Sequence, residues 1–160
     1  MLKVSFKDDF EKVQTFNDRV TMVTLSGKMK LPKWWRYVPA PVWNWLGRHP
    51  MVEFYDHIDY AHIEVTGKAK CAEGDTFDAV KGERIAESRA KASLYKFMHT
   101  LCKKTIQYYF GLLLGNRELH KVTESHEAPP TDCLYQSMER YRELYIKESH
   151  HLGELLKDNE

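Results

Sequence analysis

Cysteine is scarce in this 160-residue chain: Cys71, Cys102 and Cys133 are its only three. They are odd in number, widely spaced and form no CxxC pair, which excludes a disulfide-built scaffold and points to a reducing, cytosolic compartment. Long apolar runs are missing too. The longest, residues 108–114, is seven residues and includes Gly111. A membrane-spanning helix needs about 20, so no membrane segment is expected. Residues 1–9 hold no apolar core of a signal peptide. The glycine motifs GxxxxGK[ST] and GxGxxG and the elbow GxSxG do not occur, which leaves a phosphate-cradling loop or a serine-hydrolase elbow without support. An excess of one charge is lacking as well. Lys and Arg number 24 against 23 Asp and Glu, a net charge of +1, which excludes a uniformly basic nucleic-acid coat and a uniformly acidic DNA mimic. There is no internal repeat and no low-complexity run.

What is present is the composition of a packed domain. The chain is 42% hydrophobic and 12% aromatic, too rich in core-forming residues for a disordered polymer. Its length suits one domain with an appendage, and is too short for a kinase or a two-domain dehydrogenase. The charge is unevenly placed. Residues 1–80 carry 11 basic and 11 acidic side chains, net 0. Residues 81–104 carry seven basic and two acidic, net +5, and residues 105–160 carry six basic and ten acidic, net −4. A neutral total therefore hides a basic block followed by an acidic segment.

The pattern predicts strands first and helices after. Residues 12–16 and 19–30 read as strands joined at the turn pair Asn17-Asp18. Residues 52–71 read as one long strand or two shorter ones, with Thr66-Gly67 marking a bend or bulge. Between them, residues 32–50 hold all four tryptophans (Trp34, Trp35, Trp43, Trp45) and four of the six prolines. Pro41 opens a short helix through Leu46, stopped by Gly47. This insert is either a flap folded back on the core or an exposed partner surface anchored by its indoles. Asp75 or Asp78 caps a long helix over residues 79–114, and Gly115-Asn116 stop it. A loop over residues 118–130 leads to a last helix from Thr131 or Asp132 to Lys157, with an apolar stripe of Leu134, Met138, Tyr141, Tyr145, Leu152 and Leu155. The expectation is an α+β fold: a small antiparallel β-sheet packed on a long helix, with a second, C-terminal helix. Residues 1–114 form the sheet and long-helix module, and residues 115–160 form a loop and a helix packed on it.

On the long helix, Ala86, Ala90, Leu94, Phe97, Met98, Leu101 and Tyr108 share one side. Lys81, Arg84, Arg89, Lys91, Lys96 and Lys103 fall on the other, within a sector of about 160°. Six cations in one sector can track a phosphate backbone, pair with the acidic last helix, or meet an acidic protein. Metal and catalytic candidates are weak. His57 and His62 sit on opposite strand faces, His99 and Cys102 supply two ligands where zinc needs three or four, and His150-His151 do not converge. Cys102 reads as a buried structural thiol. Asp56 with Asp59, and Asp75 with Asp78, read as turn and cap residues. No enzyme, metal or cofactor is expected.

Gly67-Lys68-Ala69-Lys70-Cys71, Asp75-Thr76-Phe77-Asp78, Lys81-Gly82-Glu83-Arg84-Ile85-Ala86 and Arg89-Ala90-Lys91-Ala92 resemble a motif of small uncharacterised bacteriophage and prophage proteins, roughly GxAKCxxxDxFDxxxGxxIAxxRA. That family is similar in outline to a double-stranded-RNA-binding module. In such a module Phe77 plugs the helix base, Asp78 caps it, and Gly82 lets helix and sheet approach closely. The resemblance implies a phage or mobile-element binding protein in the bacterial cytoplasm, acting on a host protein or nucleoprotein. An inhibitor of a host defence nuclease, in the manner of an anti-CRISPR, is the leading expectation. Trp34, Trp35, Trp43 and Trp45 would anchor it, with Arg84, Lys91 and Lys96 steering. Nucleic-acid binding through Lys81, Arg84, Arg89, Lys91, Lys96 and Lys103 is the alternative, and a metal- or cysteine-dependent enzyme a remote third. The last helix also offers a surface for homo-oligomerisation.

Overall fold

The computed structural model describes residues 10–17, 19–30, 33–46, 52–54, 60–74, 76–115 and 131–157. Four strands come before the two long helices: β1 (Phe10–Asn17), β2 (Val20–Lys30), β3 (Val52–Phe54) and β4 (Tyr60–Lys70). They form one antiparallel sheet in the order β1-β2-β4-β3. The fold is α+β. Alternation decides which sheet face is covered. Thr21, Val23 and Leu25 of β2 and Ile63, Val65, Gly67 and Ala69 of β4 are buried, while Glu64, Thr66, Lys68 and Lys70 are exposed. On the open face the hydroxyls of Thr24 and Thr66, cross-strand partners, hydrogen-bond at 2.9 Å.

The expected strand over residues 52–71 resolves into β3 and β4, and the expected break at Thr66-Gly67 does not occur. Gly67 pairs with Val23 inside a continuous β4. Glycine is needed there for a different reason. A Cβ at position 67 would collide with the backbone of Ala86 and Ala90, so its absence lets strand and helix touch.

Helix α2 (Ala79–Gly115) follows the sheet. Asp78 caps it, its Oδ1 accepting the backbone N–H of Lys81 at 3.0 Å. The alternative cap Asp75, the stop at Gly47, and the loop over residues 118–130 lie outside the described residues. Helix α3 (Thr131–Lys157) runs antiparallel to α2. The Ser88 hydroxyl donates to the carbonyl of Glu148, and Phe110 meets Tyr135 edge-on at 6.4 Å. Of the predicted α3 stripe, Leu134 and Tyr141 are buried, and Met138, Tyr145, Leu152 and Leu155 are half-buried against the core.

The single apolar face expected for α2 is corrected to two. Ala86, Ala90 and Phe97 lie on the sheet side, where Gly67 and Trp45 meet them. Ser88, Tyr95 and Cys102 lie about 160° away. They too are buried, with Tyr141 of α3 beside Cys102 and Tyr95. A serine and a tyrosine are weak signals of burial in a sequence, whereas the cysteine was a strong one. The central helix is therefore sandwiched between sheet and α3, and its outer cations are divided by that packing.

Candidate functional site

The aromatic insert builds inward. Residues 33–37 form a 3-10 turn, and α1 (Ala40–Leu46) follows. Trp34 is fully buried, and its Nε1–H donates to Ser137 Oγ of α3 at 2.9 Å. Trp35, 7% exposed, packs beside it at 6.1 Å between ring centroids. Trp45 is half-buried and stacks on Phe97 at 5.8 Å, with the Lys104 ammonium 4.9 Å from its ring. The Tyr109 hydroxyl donates to the carbonyl of Tyr37 at 2.6 Å. Trp34 and Trp35 are thus core residues, which corrects their expected role as exposed anchors. The indole N–H of Trp34 found a partner inside the fold, and the rings fill the space beside α2. The Trp43 side chain lies outside the described residues.

The six cations separate into three groups. Arg84 and Lys91 border a groove of about 680 Å³ between α2 and α3, together with Lys147, Glu148, His151 and Glu154. There Lys91 Nζ pairs with Glu87 Oε1 at 2.6 Å, one helical turn away. Packing so brings Arg84 and Lys91 of α2 and Glu148 and Glu154 of α3 to one groove, but the ion pair at Lys91 is made within α2 and not across to α3. Arg89, at the sheet side, donates from its guanidinium to the carbonyl of Lys68. Lys96 and Lys103 are exposed, and Lys81 is half-buried.

The aromatic segment covers one flank of α2, reaching from Phe97 and Lys104 to Tyr109 and Ser137. On the opposite flank, Lys81, Arg89, Lys96, His99, Lys103 and Phe110 fall within about 80° of the helix surface. Arg89, Lys96, Lys103, Gln107 and Phe110 are exposed there. The only carboxylates of α2, Glu83 and Glu87, lie on the far side of the helix. From Lys81 to Lys103 this stripe, which contains no carboxylate of α2, extends about 33 Å at the helical rise.

At the start of the stripe is a cavity of about 570 Å³, between the ends of β2 and β4 and the first turns of α2, with Leu156 of α3 at its edge. Lys70, Lys81, Arg89, Thr21, Phe77 and Asp78 are among its lining residues. Neither Lys70 nor Thr21 was singled out by sequence. Lys70 stands inside the Gly67–Ala90 sequence motif, which was the available signal. The apposition of Thr21 to Gly82 arises only in the fold.

Burial sets the proton affinities of the core. It pushes the Tyr95 phenol up to about 12, with the nearby Glu148 carboxylate acting the same way. Burial likewise raises Cys102 and Tyr141, and raises Tyr109 with help from Tyr108 and Tyr37. Cys102 is therefore a protonated thiol at neutral pH, as the structural reading of it expected. Among the described residues no group of three His, Cys, Asp or Glu side chains is placed to hold a metal ion. No described helix is long and apolar enough to cross a membrane.

No known protein family, curated protein or solved structure matches the chain. The residues of the Gly67–Ala90 motif have a structural place. Gly67, Ala86 and Ala90 make the β4–α2 contact, Asp78 caps α2, and Gly82 lies against Thr21.

Proposed function

We propose that this protein is a non-enzymatic binding protein that contacts nucleic acid as a polyanion along the open flank of α2. The observation that carries this reading is the stripe of Lys81, Arg89, Lys96 and Lys103 without a carboxylate among them. Such a stripe attracts phosphates through counterion release, and needs no sequence-reading side chains. A role in a bacteriophage or mobile element, in the host cytoplasm, follows from the motif resemblance.

The test is a salt titration of the full chain with a fluorescent 20-base-pair duplex and with single-stranded RNA. Affinity should fall steeply with salt. The double substitution K96A/K103A should reduce the slope of log K against log salt on duplex DNA by about 1.8, roughly 0.9 per lost phosphate contact. Both side chains are exposed, so stability should be unchanged. Absence of binding at about 50 mM salt, or an unaltered slope in the double variant, would overturn the reading.

Capture of a host protein, including a defence nuclease, is a second reading. With Trp34 and Trp35 in the core, its support moves to Phe110 and Tyr135, exposed at 43% and 39% and in contact across the two helices. Aromatic pairs of this kind anchor interfaces. The F110D/Y135D variant should lose a captured nuclease while keeping salt-dependent nucleic-acid binding.

A further inference from the structure

The cavity at the start of α2 has the features of a ligand site. Its volume, about 570 Å³, lies in the range that encloses a small organic ligand. Lys81 and Arg89 of α2 bring two cations to its wall and Lys70, at the end of β4, stands at its rim, while Asp78 is the one carboxylate among its described lining residues. That carboxylate is already committed to the backbone N–H of Lys81. The guanidinium of Arg89 spends one donor on the carbonyl of Lys68 and carries five in all.

A second observation comes from the wall itself. Thr21 is completely buried, lines this cavity, and its Oγ1 has no hydrogen-bond partner. Buried hydroxyls are nearly always satisfied; this one is closed off from the cavity space as it stands, and a polar ligand atom reaches it only by shifting the wall. Gly82 packs directly against Thr21, since a Cβ at position 82 would stand 2.5 Å from the Thr21 hydroxyl oxygen. Phe77 adds an aromatic ring to the same wall. Cations with an aromatic neighbour are the combination that holds a nucleotide: charge for the phosphate, a ring face for the base. Lys81 and Arg89 belong both to the cavity and to the open flank, so the cationic stripe leads into it.

We propose that this cavity binds a nucleotide carrying a terminal phosphomonoester, as the end of a strand lying along the α2 flank. This rests on the nucleic-acid reading of that flank for the strand, while the phosphomonoester chemistry stands on the cavity alone. A free nucleoside monophosphate offers the same group and is distinguished by experiment.

The full chain is titrated with adenosine 5′-monophosphate, adenosine and inorganic phosphate, read by amide NMR shifts of Cys71, Thr76, Phe77 and Gly82. The monophosphate should shift these amides, and adenosine should not. In parallel, 12-mer strands bearing a 5′-phosphate, a 3′-phosphate or neither are compared. A phosphorylated strand should bind at least fivefold tighter. K70A, at an exposed position, and T21V, which keeps the shape of the side chain, should each remove that preference. K96A/K103A should weaken all three strands alike and leave the preference intact. Equal binding of all strands, with no monophosphate shift, overturns the cavity site and leaves the flank reading standing. Monophosphate shifts without strand binding overturn the flank reading and make the ligand a free nucleotide. Equal shifts with adenosine overturn the phosphate assignment.

Discussion

Gly67 of β4 lies against the carbonyl oxygen of Ala86 in α2, so closely that position 67 has no room for a Cβ. This contact sets the distance between the sheet and the central helix. The obstructing atoms are backbone, which cannot rotate away. Gly67→Ala should therefore destabilise by about 3 kcal/mol, the upper end for overpacked cores. Gly111 is the control. It is exposed in α2 with nothing within 4 Å of a new Cβ, so Gly111→Ala should stabilise by about 0.5–1 kcal/mol. Urea midpoints of the two variants should move in opposite directions, and movement in the same direction would refute the assigned contact.

The indole of Trp34 ties the aromatic insert to α3 through Ser137. Ser137→Ala should cost about 1–3 kcal/mol, because it leaves a buried N–H without an acceptor. Trp34→Phe should cost a comparable amount through the lost ring volume. Tryptophan emission of the native protein should be blue-shifted and poorly quenched by iodide for the Trp34 and Trp35 component. Full quenching of all four indoles in the native state would contradict their burial.

Stability should fall in alkali. Tyr95, Tyr109, Tyr141 and Cys102 are all raised by burial, so the native state holds protons that the unfolded chain releases. Unfolding then releases protons, and stability decreases with rising pH. The loss should begin as the unfolded thiol and phenols ionise, near the ordinary values of 9.0 and 10.0, and continue through about 12, where native Tyr95 titrates. Denaturation midpoints followed from pH 8 upward check this. Tyr141→Phe should flatten the decline. It should cost little at pH 7, because the phenol oxygen has no partner to lose.

The α2 cap offers a local test. Asp78→Ala removes the acceptor for the Lys81 N–H and should destabilise by about 1 kcal/mol. Asp78→Ser should recover most of that stability, since serine also caps. Asp78→Asn should do the same, and a loss equal to that of alanine in both would show that the charge rather than the cap matters.

Much of the framework was legible along the chain. The alternation in β4, the cap at Asp78 and the stripe from Leu134 to Leu155 each depend on neighbours close in sequence. The faces of α2 were not so legible. Ser88 and Tyr95 do not look like core residues until α3 covers them, although Cys102 does. The cations were correctly found on one sector, but the sector alone could not show that Arg84 and Lys91 turn toward α3 while Lys96 and Lys103 stay open. The tryptophans left both readings open for the same reason: an indole is apolar enough for a core and polar enough for an interface.

The sequence by itself determined the order of the main elements and a basic block hidden within a neutral total, because periodicity, capping and charge are local properties. Only the tertiary structure decided which of those charges remain available. Burial of Trp34 against Ser137, the fit of Gly67 under Ala86, and the cavity joining Lys70 to Arg89 all depend on residues far apart in the chain. Their geometry exists only once sheet, α2 and α3 have packed.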